Sequence, residues 1–236
     1  MGKKQELKVR NQQKLKDCEI IKKMDPKSKE SFLALFHEES WPKNTCILNQ
    51  EKLFYHFYII LSGRIKMYQV DDVNGKELTL FLLSKNDVFD LYCLLDGTKH
   101  NVYYECLDDA IVLAAPMEDI RKWLKDNPEN YEQILPYAGK QLRLLEDFVS
   151  DITFADISTR LLNLLIKNVN HKSQNLELIN DLSNKEIANL IGSTRAVVNR
   201  HLQKLKQLGS IKVSRKKMEI KNLKLLLNML AEKKEK

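Results

Sequence analysis

The sequence predicts an α+β fold class: a small double-stranded, jelly-roll-like β-roll, then one long helix, then a compact basic helical domain. Three observations predict it. Between Thr45 and Ala114 short β-type runs alternate with turn signals at roughly ten-residue spacing, the pattern of a small antiparallel roll. From Glu129 to Ile152 apolar residues recur in alternating steps of four and three, the seam of a long helix that meets another helix. The charge is also uneven: residues 1–151 hold 22 Lys/Arg against 25 Asp/Glu (−3), whereas residues 152–236 hold 17 against 7 (+10).

With 43% hydrophobic residues and only 7 Gly and 5 Pro in 236 positions, the composition excludes a disordered, collagen-like or low-complexity chain and suits two cores. Apolar runs such as that around Phe57 to Leu61 are far short of the 18 or so residues that span a bilayer, so no membrane helix is expected. The first twenty residues carry positive charge without an apolar stretch of signal-peptide length, and a soluble, cytoplasmic protein is expected.

Taken in order, residues 1–26 read as a helical or frayed arm ending at the helix start Asp25-Pro26. Residues 27–127 form the roll, opened by a short helix from Lys27 to Phe36. Its strands are expected at Thr45–Leu48, Phe54–Leu61, Arg64–Val70, Glu77–Leu83, Val102–Cys106 and Ala110–Ala114, and a helix follows at Met117–Lys125. Residues 128–152 form the long helix. Its seam, Tyr131, Leu135, Ala138, Leu142, Leu145, Val149 and Ile152, is narrower than the stripe of a helix packed only on its own roll. That width suits a twin across a two-fold axis, so Leu135, Ala138, Leu142, Leu145, Val149 and Ile152 are expected to line a homodimer interface. Pro136 removes a backbone hydrogen bond there and is expected to kink or restart the helix.

Residues 153–236 make the basic domain, entered near Thr153–Asp156 and opened by a helix from Ile157 to Val169. Ser183 is placed to cap a helix, with Glu186 three residues on completing a capping box, and Ile187, Ala188 and Ile191 face inward. Gly192 supplies a sharp turn and Ser193 is placed to cap a second helix, the spacing of a helix-turn-helix. In that second helix Val198, Leu202 and Leu205 bury, which leaves Arg195, Ala196, Asn199, Arg200 and Gln203 outward in its first turns, beyond Ser193 and Thr194. These are the positions from which a recognition helix meets major-groove base edges. Arg195 and Arg200 can each present a fork to guanine, and Asn199 can pair with adenine or a phosphate. Ile211–Val213 and Met218–Ile220 flank a basic hairpin tip and read as a wing. Lys204, Lys206, Lys212, Arg215, Lys216 and Lys217 are natural phosphate ligands, which position without specifying. A C-terminal amphipathic helix from Leu223 to Leu230 is expected to pack on this domain.

The four cysteines, Cys18, Cys46, Cys93 and Cys106, form no CxxC and no paired Cys/His spacing, which excludes a zinc-finger or ferredoxin-type cluster motif. Each is expected to be a reduced thiol packed as a small hydrophobe. A cupin-type enzyme would need clustered His and carboxylates around a metal, and the roll offers only His56 and His100, with no HxH pair. No metal site, nucleophile motif or enzymatic activity is expected.

On the stretch Leu182 to Leu205 with Gly209-Ser210-Ile211, and on Phe57 to Lys66 followed by Asn74-Gly75-Lys76-Glu77, the chain resembles the Crp/Fnr family of bacterial transcription regulators over roughly residues 27–222. The resemblance implies a homodimer with a cyclic-nucleotide-binding-type roll and winged helix-turn-helix domains on a near-palindromic double-stranded DNA site, with RNA polymerase as a further partner. It also implies an effector pocket at Asp90, Leu91, Asn101 and Val102, with Leu142 of the long helix. Nucleotide-binding members carry Gly-Glu and Arg-Ser pairs where this chain has Asp90-Leu91 and Asn101-Val102. Without the arginine, and with the Asp90 carboxylate nearby, a cyclic phosphate would meet repulsion instead of charge-assisted hydrogen bonds, so cyclic AMP is not expected as effector. Cys18 alone cannot replace the cysteine cluster of the iron-sulfur branch. A haem would need an axial ligand, for which the candidates are His56, His100, Cys93 and Cys106. The family's frequent glutamate after the first recognition arginine is Ala196 here, so a departure from the best-known consensus site is expected. The function expected is regulation gated by an unidentified small-molecule or redox signal, through a change of helix register or of the hinge near Thr153–Asp156. An effector-independent regulator with a degenerate roll is the alternative.

Overall fold

A computed structural model describes residues 14–47, 55–170, 173, 175–214 and 217–234. The chain divides into two compact units, Met1–Gln69 with Phe81–Leu145, and Val70–Leu80 with Glu146–Lys236.

In the first unit, Asp25 caps helix α1 (Pro26–Leu33): its Oδ1 accepts from the backbone N–H of Lys27 at 2.9 Å and of Ser28 at 3.1 Å, and Pro26 fits the first helical position. The roll strands are β1 (His37–Trp41), β2 (Cys46–Ile47), β3 (His56–Ser62), β4 (Ile65–Val70), β5 (Glu77–Leu83), β6 (Val88–Phe89), β7 (Tyr103–Cys106) and β8 (Ala110–Pro116). A helix α2 (Leu91–Asp96) separates β6 from β7. They form two antiparallel sheets, β1-β8-β3-β6 and β2-β7-β4-β5.

The continuous apolar run of β3 follows from burial on both faces. Phe57, Ile59 and Leu61 join a core with Phe32, Leu113, Ile120 and Ile134, while Tyr58 stacks on Phe89 at 4.7 Å. Gly63 turns β3 into β4 at φ +87°, and a Cβ there would lie 2.7 Å from Ala110 Cα, so only glycine fits. Helix α3 (Met117–Asp126) covers the sheet through Met117, Ile120 and Leu124. The arm expected at residues 1–26 is core from Leu15 onward: Leu15, Cys18, Ile20 and Ile21 are fully buried. The polar residues between them masked this apolar set. Residues 1–13, and the ends of the expected strands at Leu48 and Phe54, lie outside the described residues.

Helix α4 (Tyr131–Phe154) follows a short 3-10 turn, and Pro136 lies in its second turn without ending it. In the second unit, Asp156 caps α5 (Ile157–Lys167), accepting from the Thr159 N–H at 2.7 Å. Helices α6 (Asn184–Leu190) and α7 (Arg195–Gln207), the hairpin β9 (Ile211–Ser214) with β10 (Lys217–Ile220), and α8 (Leu223–Lys234) complete it. Ile187, Ala188, Val198, Leu202, Ile211 and Leu226 supply its core.

Candidate DNA interface and effector cavity

The helix pair α6–α7 is built by its ends. Ser183 Oγ accepts from the Glu186 N–H at 3.2 Å and starts α6. Gly192 turns the chain at φ +62°, and Ser193 N–H donates to the Ala188 carbonyl at 2.9 Å. The cap of α7 is Thr194, whose Oγ1 accepts from the Val197 N–H at 3.4 Å, and not Ser193 as the spacing suggests. Ser193 is spent one residue earlier, on the turn itself.

On α7 the apolar residues Val198, Leu202 and Leu205 are buried, and Arg195, Ala196, Asn199, Arg200, Gln203 and Lys204 are all exposed on the face turned away from them. Among the described residues no carboxylate lies within ion-pair distance of Arg195, Arg200 or Lys204. Lys217, at the wing, pairs with Glu219 at 2.6 Å, and Lys221 holds the same carboxylate at 2.9 Å. Those two lysines push the Glu219 carboxyl down to about 2. Arg215 and Lys216 lie outside the described residues.

Three further residues tie the unit together without a sequence signal that marked them. Arg160 donates to the carbonyls of Ile152 at 2.6 Å, Ala155 at 2.9 Å and Ile191 at 3.3 Å, joining the end of α4 to the helix-turn-helix turn. Glu77 accepts from Asn189 Nδ2 at 2.7 Å and pairs with Lys185 at 3.3 Å. Asn184 Nδ2 donates to Asn199 Oδ1 at 3.2 Å. A cleft of about 330 Å³ beside α7 is lined by Asp156, His201, Lys204 and Lys233 among others. Burial, and then the neighbouring Arg200 charge, push the His201 imidazole below its ordinary range. The Lys233 ammonium at 2.7 Å holds the Asp156 carboxyl at about 2.

In the roll, Asp90 has a left-handed backbone, at φ +61°, and is 5% exposed. Its Oδ1 accepts from Tyr104 OH at 3.2 Å and from the Cys93 thiol at 3.8 Å, and His100 Nδ1 lies at ion-pair distance, 3.5 Å. The cavity here holds only about 20 Å³. Phe81, Phe89, Tyr92, Tyr104 and Tyr137 line it, together with Asp90, Leu91 and Gln141 among others. Of the expected pocket residues, Asp90 and Leu91 line it. Val102 is buried elsewhere in the roll, Asn101 is exposed, and Leu142 is 54% exposed because Gln141 takes the inward position on α4. None of His56, His100, Cys93 and Cys106 lines the cavity. Burial pushes the thiols of Cys18 and Cys93 up to about 12 and that of Cys106 to about 11, which favours their protonated form. Among the described residues no group of three or more His, Cys, Asp or Glu could hold a metal ion, and no helix is long and apolar enough to cross a membrane.

Helix α4 has two apolar faces. Ile134 and Tyr137 are buried against the roll. Leu135, Leu142 and Val149, seven residues apart, are 56%, 54% and 55% exposed, with Ala138, Leu145 and Ile152 partly exposed beside them.

The comparisons with known proteins agree with this architecture. The cyclic nucleotide-binding domain family matches residues 38–127, and the Crp-like helix-turn-helix domain family matches residues 159–229. The chain is 30% identical over 169 residues to the global nitrogen regulator of a Nostoc species, covering 69% of this chain and 75% of that one. It is 23% identical over 205 residues to a CRP-like cAMP-activated global transcriptional regulator of Mycobacterium tuberculosis, covering 85% and 91%. Among solved structures it resembles FixK2 from Bradyrhizobium japonicum, at TM-score 0.70 and 19% identity over 82% of this chain and 96% of that one. It also resembles a CooA mutant from Carboxydothermus hydrogenoformans, at TM-score 0.68 and 21% identity over 85% and 90%. A cyclic-nucleotide-binding-type roll, a long helix and a basic helix-turn-helix domain, in that order and in relatives of regulatory function, place this chain in the Crp/Fnr family of transcription regulators.

Proposed function

We propose that this chain acts as a homodimer that binds a near-palindromic DNA site through α7 and regulates transcription there through RNA polymerase, without cyclic AMP as its signal. The observation that carries the reading is the face of α7: two arginines, an asparagine and a glutamine stand outward without acidic partners among the described residues, while the opposite stripe is buried. Such a face suits direct readout, with the lysines positioning on phosphate. The homodimer rests on the heptad-spaced exposed stripe of α4, which no other part of the described chain covers.

Against cyclic AMP stand the loss of the phosphate-binding arginine, the buried Asp90 carboxylate, and a cavity of about 20 Å³. Small-molecule sites hold about 300–1,000 Å³. The same small cavity favours a second reading, in which the roll is a scaffold and DNA binding needs no effector. Where a signal acts, the bistable element would be the joint at Thr153–Asp156, which Arg160 spans.

Selection of preferred duplexes from a random library by the purified full-length protein tests the function. A palindrome with half-sites about one helical turn apart is expected, and no enriched sequence would overturn it. Calorimetric titration with cyclic AMP should give no binding heat; saturable binding that changes DNA affinity would overturn the exclusion.

A further inference from the structure

A cavity large enough for a small-molecule effector lies beside α7 and not in the roll. The cleft between α5, α7 and α8 holds about 330 Å³, within the range of small-molecule sites, against about 20 Å³ in the roll. Its lining is of two kinds. Leu161 and Leu205, both buried, and the half-buried Met229 form an apolar base. Asp156, His201, Lys204 and Lys233 supply polar groups around it. The Asp156 carboxylate is already answered within the protein: Lys233 Nζ stands 2.7 Å from its Oδ2, and the Thr159 N–H donates to its Oδ1 at 2.7 Å. Lys204 has no carboxylate within ion-pair distance among the described residues. Burial and the Arg200 charge keep the His201 imidazole neutral near neutral pH. The charge left over is therefore positive, and the surplus of +10 over residues 152–236 adds to it.

We propose that this cleft binds a small anionic amphiphile, a carboxylate carried on an apolar body, and that this ligand and DNA oppose each other across α7. The body removes the apolar base from water, and the carboxylate accepts a charge-assisted hydrogen bond from Lys204. A cation would meet the ammonium groups of Lys204 and Lys233, and a neutral amphiphile would offer Lys204 no opposite charge. His201, Lys204 and Leu205 stand at i, i+3 and i+4 on α7 and share one face. Lys204 also neighbours Arg200, four residues back, on the exposed face. One ammonium cannot serve a ligand carboxylate and a DNA phosphate at full strength, and the two anions repel at that range. The opposition rests on the reading of α7 as the DNA-contacting helix; the site itself does not. By linkage, the duplex must weaken the ligand by the same factor as the ligand weakens the duplex.

Calorimetric titration of the full-length protein with octanoate, 1-octanol, octylamine and acetate tests the site. Octanoate should bind saturably at one site per chain, with octanol and octylamine weaker by roughly tenfold or more, the worth of one hydrogen bond to a charged group. Acetate, which lacks the apolar body, should give no measurable heat. Met229→Trp fills the cleft from α8, outside the proposed DNA contacts, and should abolish octanoate binding while leaving the DNA isotherm unchanged. Lys204→Ala, at an exposed position, should bring octanoate level with octanol, and decides the matter if Met229→Trp fails to fold. With the duplex that library selection prefers present at saturation, octanoate affinity should fall by roughly fivefold or more, and saturating octanoate should lower duplex affinity equally. No saturable octanoate binding, equal binding of the three octyl probes, or octanoate binding that a folded Met229→Trp or Lys204→Ala leaves unchanged overturns the site. Octanoate affinity that the duplex does not change overturns the opposition. A protein that takes octanoate but no duplex overturns the DNA reading and the opposition with it, and the titration then upholds the site alone.

Discussion

Arg200 and Lys204 stand on the same exposed face of α7, four residues apart, and the proposed DNA reading gives them different tasks. A guanidinium that forks onto a base edge carries sequence information, whereas an ammonium on a phosphate carries none. Arg200→Ala should therefore cost about 1–3 kcal/mol on the preferred site and relax one base pair, while Lys204→Ala should weaken all sequences alike and lower the salt slope by about one. Binding isotherms on specific and random duplexes over a salt series check both; equal losses on the two duplexes for Arg200→Ala would remove it from base readout. His201, between them in sequence, titrates in the opposite sense to a paired histidine. Burial, Arg200, Lys233 and Lys204 lower its pKa, and Asp156 opposes them. The folded state binds that proton more weakly than the unfolded chain. Its neutral form therefore stabilises the fold fully above the ordinary value of about 6.5, and the contribution is lost as pH falls through that value toward the lowered one. Melting temperatures between about pH 7.5 and 5 should fall more for the wild type than for His201→Gln; parallel curves would contradict this. The exposed polar face of α7 was legible because side-chain type and helical period define it together. Arg160 was not: its acceptors are carbonyls at two helix ends and a turn, brought together by the fold alone.

At the scale of elements, caps and turns decide boundaries. The cap of α7 at Thr194 predicts that Thr194→Ala costs about 1 kcal/mol of stability, within the usual range for caps, and that Ser193→Ala costs clearly less. Thermal or urea melts of the two variants distinguish them. Gly192→Ala should be worse, since it combines left-handed backbone with a Cβ 2.9 Å from Ile152 Cδ1; a loss of about 1–2 kcal/mol is expected from the backbone alone. A melt matching the wild type would mean that the turn can relax. Most roll strands were legible from period and turn signals, and β5 has the predicted bounds, Glu77–Leu83. Strand β1 was missed because His37-Glu38-Glu39-Ser40-Trp41 has no apolar alternation. It is an edge strand, paired with β8 from His37↔Ala114 to Trp41↔Ala110, that buries chiefly Trp41. Strand β6, two residues long, and helix α2, entered through Asp90 in left-handed conformation, are too short for any period to appear.

For the whole molecule the heptad stripe of α4 makes the sharpest claim. Leu142→Glu with Val149→Glu should leave the fold intact, since both side chains are more than half exposed, yet convert a dimer to a monomer in sedimentation equilibrium and abolish high-affinity palindrome binding. A doubly substituted protein that still sediments as a dimer would move the interface elsewhere. The sequence by itself determined the order of parts, the basic C-terminal third, the helix pair with its outward polar stripe, and the seam of the long helix. Each is written in a local period, a cap or a running sum of charge. Only the tertiary structure decided three other matters: that aromatic rings leave the roll cavity about 20 Å³, that the N-terminal segment from Leu15 is core, and that the amides of Asn184 and Asn199 meet. Those depend on distances between residues far apart in the chain, and a local pattern carries no record of what packs against it.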